Sequence, residues 1–367
     1  MARHVIKLGS GITAGDDGTL RAEVLAAICD EVATRRRAGD DVVIVSSGAI
    51  VRGLDTMGIV GRPSAIEDLQ AASAVGQGRL FRFYDELLAA RGVTAAQVLL
   101  TFFDLSHRTH YLNARQALRR LLDWGVVPII NENDTTATDE ITFGDNDFLA
   151  AQVAILVEAD RLLLLTGVDG VYTADPRSDP SASIVREITD FATLEAQASI
   201  GDSTSALGSG GMRSKVVAAE MATAAGIPAA IVNGLRHEAI GAVLAGSTDE
   251  GTHFPARALG ISSFKLWLRY AKPAAGMVVV DAGAAHALRE EGTSLLPVGV
   301  LDVCGDFAAG DAVTIHIVDS DALLGKGIVA LSADELRRVQ GLQSAQVREV
   351  LPHAAEEAVH RDYFVLA

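Results

Sequence analysis

Lys7 and Lys215 are the only lysines among the first 260 residues, a stretch that contains twenty arginines. Each adjoins a glycine-rich turn. Lys7 ends an apolar run in His4-Val5-Ile6-Lys7-Leu8-Gly9-Ser10-Gly11, and Lys215 closes Gly208-Ser209-Gly210-Gly211-Met212-Arg213-Ser214-Lys215. Arginine supplies the solvated positive charge here, so a lysine marks a place for a compact, single-point cation. Backbone amides of a glycine turn can face the same anion. The chemistry expected of such a pair is phosphate handling. A compositional bias would also leave few lysines, but it does not account for both lying on such turns.

A second set of candidates is polar and uncharged. The chain has five asparagines, and three fall between positions 131 and 146, in Asn131-Glu132-Asn133-Asp134 and Gly144-Asp145-Asn146-Asp147. Amides both donate and accept, so they can grip the ammonium and the carboxylate of a zwitterion. The same residues also cap helices and shape turns, and Asp145 or Asn146 is expected to cap a helix beginning near Asp147. Two dense clusters exceed what turns require, which favours ligand contact. Ser46-Ser47-Gly48-Ala49 has small side chains that let a ligand approach backbone amides, or it is simply a tight turn.

Other chemistries find no support. There is no Gly-x-x-x-x-Gly-Lys-Ser/Thr loop, Gly-x-Ser-x-Gly elbow or His-Glu-x-x-His helix, and the nine histidines do not cluster at metal-ligand spacing. His107 and His110 read as parts of a solvated turn. Cys29 and Cys304 are isolated and read as buried structural thiols in a reducing compartment, the cytoplasm. The formal charge is −16, and residues 261–367 carry 9 basic against 14 acidic side chains, a balance that opposes nucleic-acid binding. No apolar stretch is long enough to span a bilayer, and Lys7 interrupts any signal-like start.

The elements that must position these residues alternate. Strands are expected at Val5–Leu8, Val42–Val45, Thr94–Leu99, Val126–Ile130, Arg161–Leu165 and Ala229–Val232. Helices are expected at Arg21–Ala38, Ile66–Ala90, Arg108–Trp124, Asp147–Glu158 and Met212–Ala225. Near-continuous apolar strands between helices predict an α/β fold: a mostly parallel sheet sandwiched by helices. Ligands gather at the carboxyl ends of such strands. That edge is where Gly9-Ser10-Gly11, Ser46–Ala49, Asn131–Asp134 and Thr166-Gly167 all fall. Thr135–Phe143 reads as a hairpin arm, Val168–Tyr172 as a tight Asp-Gly hairpin, and Ala174–Ser209 as a surface excursion or lid. After residue 275 short strands and Gly-Asp turns predict a small, mainly β domain, with boundaries at 1–258, a linker at 259–273 and a tail domain at 274–355.

With these blocks in hand, the chain resembles the amino-acid kinase family, and within it the branch that phosphorylates glutamate and carries a C-terminal PUA domain. The blocks that carry the likeness are Val5–Gly9, Ser46–Ile50, Ala74-Val75-Gly76-Gln77, Asn131–Asp134, Gly144–Asp147, Leu163–Arg177 and Gly208–Lys215, with Thr293–Gly299 and Gly305-Asp306-Phe307 in the tail. The resemblance implies ATP-dependent phosphorylation of the L-glutamate side-chain carboxylate to glutamyl 5-phosphate, the first step toward proline. It implies Mg²⁺ carried mainly by ATP, with no metal ligand assigned to the protein. It also implies a homo-oligomer (dimer or tetramer) and feedback inhibition by proline. A glutamyl-phosphate reductase is a chemically reasonable partner, since an acyl phosphate on glutamate can cyclise or hydrolyse, and charge and hydropathy predict neither a membrane nor a nucleic-acid partner. By the same resemblance Lys7 and Lys215 contact the ATP phosphates and Asp147 orients them. Ser47, Asp134 and Asn146 bind glutamate. Gly9, Ser10, Gly11, Thr166, Gly167, Ser209, Gly210, Gly211, Met212, Arg213 and Ser214 line the nucleotide pocket. Many relatives have Thr-Asp where this chain has Thr166-Gly167. Acetylglutamate, aspartate and carbamate are the alternative acceptors within the family, and RNA binding by the tail or an idle regulatory role are alternatives outside it.

Overall fold

A computed structural model of the chain describes residues 1–15, 18–101, 104–105, 108–136, 145–176, 178–191, 211–257, 263–270, 272, 274–318, 322–352 and 355–367. It divides into two units, Met1–Gly260 and Ile261–Ala367.

In the first unit β1 (Arg3–Leu8), β2 (Asp41–Ser46), β3 (Ala95–Leu100), β4 (Val127–Glu132), β5 (Arg161–Thr166), β6 (Ala229–Asn233) and β7 (Thr252–Phe254) form one sheet, ordered β3-β4-β2-β1-β5-β6-β7. The strands run parallel except β7, which pairs antiparallel with β6 at the edge. All six expected strands form, with ends shifted by one or two residues. The sequence pattern missed β7, whose three residues are too few to show a period.

The connecting helices are α1 (Ser10–Thr13), α2 (Ala22–Arg37), α3 (Ala49–Met57), α4 (Ile66–Ala89), α5 (Arg108–Asp123), α6 (Asp145–Leu156), α7 (Met212–Ala224) and α8 (His237–Leu244). Side chains alternate across a strand, so one face collects Ile6, Leu8, Val42, Ile44, Leu163 and Leu165. These pack with Leu25, Ile28 and Val32 of α2, Leu80 and Leu88 of α4, and Ile240 and Val243 of α8. Val5, Lys7, Val43, Val45, Leu162 and Leu164 occupy the opposite face, where α6 and α7 lie against β1 and β5. Lys7 thus has a buried position by strand parity alone.

Several expectations are corrected. Val168–Tyr172 is not a tight hairpin. Residues 167–170 bend, and Tyr172 bridges Ile184 with Thr173 N–H donating to the Ser183 carbonyl at 3.0 Å. The reason is Thr252, whose Oγ1 accepts from the Val171 amide at 2.8 Å and would lie 2.6 Å from a Cβ on Gly170. His110 belongs to the first turn of α5, not to a solvated turn, and its Nδ1 lies 3.1 Å from Asp104 Oδ1. Cys29 is buried, and burial pushes its thiol up to about 12, whereas Cys304 is partly exposed on an edge strand. His107, residues 137–143 of the expected arm and residues 192–209 of the expected excursion lie outside the described residues.

The second unit has β8 (Ala274–Val280), β9 (Val300–Gly305), β10 (Ala312–Ile317), β11 (Leu323–Val329) and β12 (Val359–Leu366) in the order β12-β11-β10-β8-β9. It is mainly antiparallel, with β8 and β10 parallel. The expected linker contains a helix, α9 (Ser263–Tyr270), that packs on β12, and β12 itself lies beyond the expected end at 355. Shorter helices α10 (Ala282–His286), α11 (Ala333–Val339) and α12 (Ser344–Val350) complete it. Ser332 and Glu335 form a reciprocal capping box at the start of α11. The core is Val278, Val280, Val300, Ile315, Leu324, Leu336 and their neighbours.

One contact in the first unit governs where the site's walls stand. Helices α3 and α4 meet backbone to backbone: a Cβ on Gly76 would lie 1.9 Å from the Ala49 carbonyl oxygen, and one on Gly53 would lie 1.8 Å from that of Ala72. Gly78, two residues on, is open: a methyl group there would meet nothing within 4 Å. Gly76→Ala should therefore destabilise the protein by about 1–3 kcal/mol or more through overpacking. Gly78→Ala should stabilise it by about 0.5–1 kcal/mol through helix propensity. Denaturant unfolding of the two variants checks the opposite signs.

Candidate active site

The strand order places β1 between β2 and β5, so the chain reverses direction across the sheet between β1 and β5. In open parallel sheets this switch point opens a crevice beyond the carboxyl ends of the strands. Leu8 pairs with Ser46 on one side and with Leu165 on the other. Gly9 and Ser47 therefore leave the sheet beside Thr166, the last residue of β5, which pairs with Asn233 of β6. All four turns marked in the sequence reach this edge, although Ser46, Asn131 and Glu132 are the last residues of their strands rather than turn residues.

Asp147, in the first turn of α6, is fully buried at 0% exposure. Its Oδ1 lies 2.6 Å from Lys7 Nζ, and its Oδ2 lies 3.3 Å from Lys215 Nζ and accepts from Ser214 Oγ at 2.6 Å. Burial alone would push this carboxyl up. The Lys215 and Lys7 charges, with hydrogen bonds from Lys7 and Ser214, outweigh it and hold the carboxyl down at about 2. Lys7 and Lys215 are themselves 3% and 6% exposed. Three segments distant in sequence are thereby joined at one carboxylate, and these three groups together carry one positive charge. A cation so placed in a low-dielectric crevice attracts an anion strongly.

Backbone donors surround the pair. Gly9 precedes α1, Gly48 precedes α3 and Gly211 precedes α7, and none of these helix starts has a side-chain cap. The first N–H groups of a helix have no partner within the helix itself. Gly48 is left-handed at φ 109, and a Cβ there would lie 2.5 Å from Thr13 Oγ1. The glycine turn after β1 is held by Arg21, whose Nε donates to the carbonyls of Gly11 and Ala14 at 3.2 Å each. Gly211's carbonyl accepts from Ser214 Oγ at 2.9 Å and Lys215 Nζ at 3.3 Å, fixing the lysine at the helix start. Met212 and Arg213 share this first turn; Ser209 and Gly210 lie outside the described residues. Gly167 is exposed, with nothing within 4 Å of a Cβ, beside Thr166.

Across the crevice stand residues of β2, β4 and α6. Ser47, half-buried, donates its backbone N–H to the Leu8 carbonyl at 3.0 Å. Asp134 Oδ2 accepts from Ser73 Oγ at 2.5 Å; burial pushes this carboxyl above the usual range, against the pull of Ser73 and the Arg62 charge. Asn146 has a buried Oδ1 with no hydrogen-bond partner among the described residues. The three clustered asparagines thus separate by role. Asn131 is sealed inside, donating from Nδ2 to Gln77 Oε1 at 2.6 Å, and Asn133 shapes the turn to Thr136.

Sequence reasoning did not single out Ser73, Tyr84, Asp169, Asn233 or Arg236. Asn233 Nδ2 donates to Asp169 Oδ1 at 2.8 Å, and Arg236 pairs with Asp169 and Glu250 beyond β5 and β6. The signal for Ser73 and Tyr84 was the helical spacing that they share with Gln77.

The amino acid kinase family model matches residues 2–233, and a PUA domain model matches residues 276–351. A glutamate 5-kinase of Meiothermus ruber is 44% identical over 368 residues, covering 100% of this chain and 96% of that protein. One from Paracoccus denitrificans is 45% identical over 365 residues, covering 99% and 97% respectively. The solved structure of a UMP kinase from Bacillus anthracis is 23% identical, covers 70% of this chain and 97% of its own, and has a TM-score of 0.49. With the family model spanning most of the unit that holds the Lys7–Asp147–Lys215 cluster, and relatives matching end to end, the chain belongs to the amino acid kinase family.

Proposed function

We propose that this chain transfers the γ-phosphoryl group of ATP to the side-chain carboxylate of L-glutamate, giving glutamyl 5-phosphate and ADP, the first step of proline biosynthesis. The observation that carries the reading is the single buried carboxylate of Asp147 shared by Lys7 and Lys215 at the switch-point crevice. The full-length similarity to glutamate 5-kinases supports glutamate as the acceptor.

The acceptor is already ionised at neutral pH, since a carboxyl of its kind titrates near 4.3, so no general base is required. What remains is to align two anions and to neutralise the charge on the transferring group. A carboxylate oxygen attacks the γ-phosphorus while the bond to the β–γ bridging oxygen breaks. Lys215 and Lys7 stabilise that charge, and Asp147 holds both ammonium groups in register. Gly9, Ser10, Gly11, Gly211, Met212, Arg213 and Ser214 present backbone donors to the phosphates, while Thr166 and Gly167 border the nucleoside. Ser47, Asp134 and Asn146 hold glutamate, with Asp134 placed to meet its ammonium group.

Among the described residues no three His, Cys, Asp or Glu side chains gather as a cage, and Asp147 is engaged by its lysines. A Mg²⁺ ion held through ATP phosphate oxygens fits such a site. Bound there, it would supply further neutralisation of phosphate charge. Glutamyl 5-phosphate is a reactive acyl phosphate, which suits consumption by a glutamyl-phosphate reductase, and proline is the expected feedback inhibitor. We also assign the enzyme to the cytoplasm as a homo-oligomer. No helix of the described residues is long and apolar enough to cross a membrane.

ATP, Mg²⁺ and glutamate with hydroxylamine should yield a hydroxamate, because acyl phosphates are trapped this way; aspartate or acetylglutamate giving the faster reaction would reassign the acceptor. Lys215→Ala should lower kcat by about two to three powers of ten while leaving the protein folded, by analogy with loss of an oxyanion donor. Near-normal turnover would remove Lys215 from phosphoryl stabilisation. Asp134→Asn should raise the KM for glutamate about tenfold or more and leave that for ATP unchanged, as loss of a charged hydrogen bond predicts. Steady-state kinetics with each substrate varied separates the two effects.

A further inference from the structure

Helix α4 turns three buried polar side chains toward the strand ends of the acceptor side. Ser73 Oγ donates to Asp134 Oδ2 at 2.5 Å, Gln77 Oε1 accepts from Asn131 Nδ2 at 2.6 Å, and Tyr84 OH shares a hydrogen bond with Ser46 Oγ at 2.9 Å. Spacings of four and then seven residues place all three on one helical face. Buried polar groups are costly unless paired, and apolar side chains would have filled these positions at less risk. Each pairing instead ends on a residue at or just past the end of β2 or β4. The helix has little freedom to slide, because Gly53 and Gly76 lock it against α3.

Asp134 differs from the other two partners. Asn131 and Ser46 are buried and closed off under α4. Asp134 sits in the turn after β4, and its Oδ1 accepts no hydrogen bond among the described residues. A carboxylate that is fixed through one oxygen and open at the other suits an ammonium group, which needs one strong acceptor in a defined place.

We infer that Ser73 is a positioning residue for the amino-acid acceptor: its hydroxyl fixes one oxygen of Asp134 and leaves the other to receive the substrate ammonium group. This rests on the placement of Asp134 in the acceptor subsite made above. Ser73 also favours the ionised form of Asp134, which burial opposes; the other charge acting on this carboxyl is Arg62. Losing the Ser73 donor should therefore raise the pH below which the acceptor is released.

The test is Ser73→Ala in the full-length enzyme, with glutamate varied at saturating ATP and Mg²⁺ over a range of pH. The KM for glutamate should rise about tenfold with kcat little changed, and the acid limb of kcat/KM should move up by about one pH unit. In an Asp134→Asn background the same substitution should add nothing, since its route of action is gone. Ser73→Cys keeps the volume and weakens the donor, so it should shift both readouts in the same directions by less. An unmoved acid limb and an unmoved KM in an active, folded Ser73→Ala enzyme would overturn the inference and leave the proposed reaction standing. So would a full additive effect on top of Asp134→Asn. A wild-type protein without glutamate-dependent hydroxamate formation would remove both.

Discussion

Two ammonium groups buried on one carboxylate form an arrangement that few folds would tolerate, and the rest of this one is organised around it. Lys7 and Lys215 repel each other, and Asp147 could not remain charged at 0% exposure without them. Removing one partner of such a buried pair typically costs about 3–5 kcal/mol, because the charge left behind has no solvent. The cluster therefore ties β1, α6 and α7 together as well as supplying positive charge. It also explains lysine here. A guanidinium would bring a planar fork of five donors to a space in which Ser214 Oγ already occupies one side of Oδ2.

The two sides of the crevice are built by different physics. The proposed phosphate side relies on charge and on the helix starts after Gly9 and Gly211, which carry no side-chain cap. The acceptor side relies on directional hydrogen bonds handed down from α4. Two glycines let that helix touch α3 through backbone atoms, which limits its freedom to shift. A substrate recognised at both ends demands such rigidity, whereas a triphosphate met by several donors tolerates more play.

The sheet and its order of strands and helices were legible because buried parallel strands are nearly continuous in apolar residues and the helices are long. Lys7 and Lys215 stood out by residue type in a 260-residue stretch that otherwise uses arginine, and Asp147 by the family resemblance, but nothing in the spacing showed that one carboxylate would serve both lysines. The asparagine clusters were legible as unusual and misleading in detail. Asn131 belongs to a strand and bonds Gln77, a contact across 54 positions that no local pattern contains. The Val168–Tyr172 turn failed for a similar reason, since Thr252, far along the chain, dictates the path at Gly170. The edge strand β7 and the late strand β12 were missed, one because it is short and the other because its polar, outward residues His360, Arg361 and Asp362 interrupt the alternation.

The overall charge of −16 stands against the proposed site for two anions, yet screening removes the conflict. At physiological ionic strength the screening length in solution is about 8 Å, so surface carboxylates beyond that range weigh little on the crevice. Inside it the effective dielectric is lower and the nearest charges dominate. Along the crevice those are Lys7 and Lys215, whose combined charge Asp147 neutralises only in part. The acidic surface then serves solubility, and the selection of anions is left to a few buried groups. Asp134 is the one carboxyl on the acceptor wall that this logic would disfavour, and burial does push it toward protonation. In the proposed reading a cation meets it there, the ammonium end of the amino-acid acceptor.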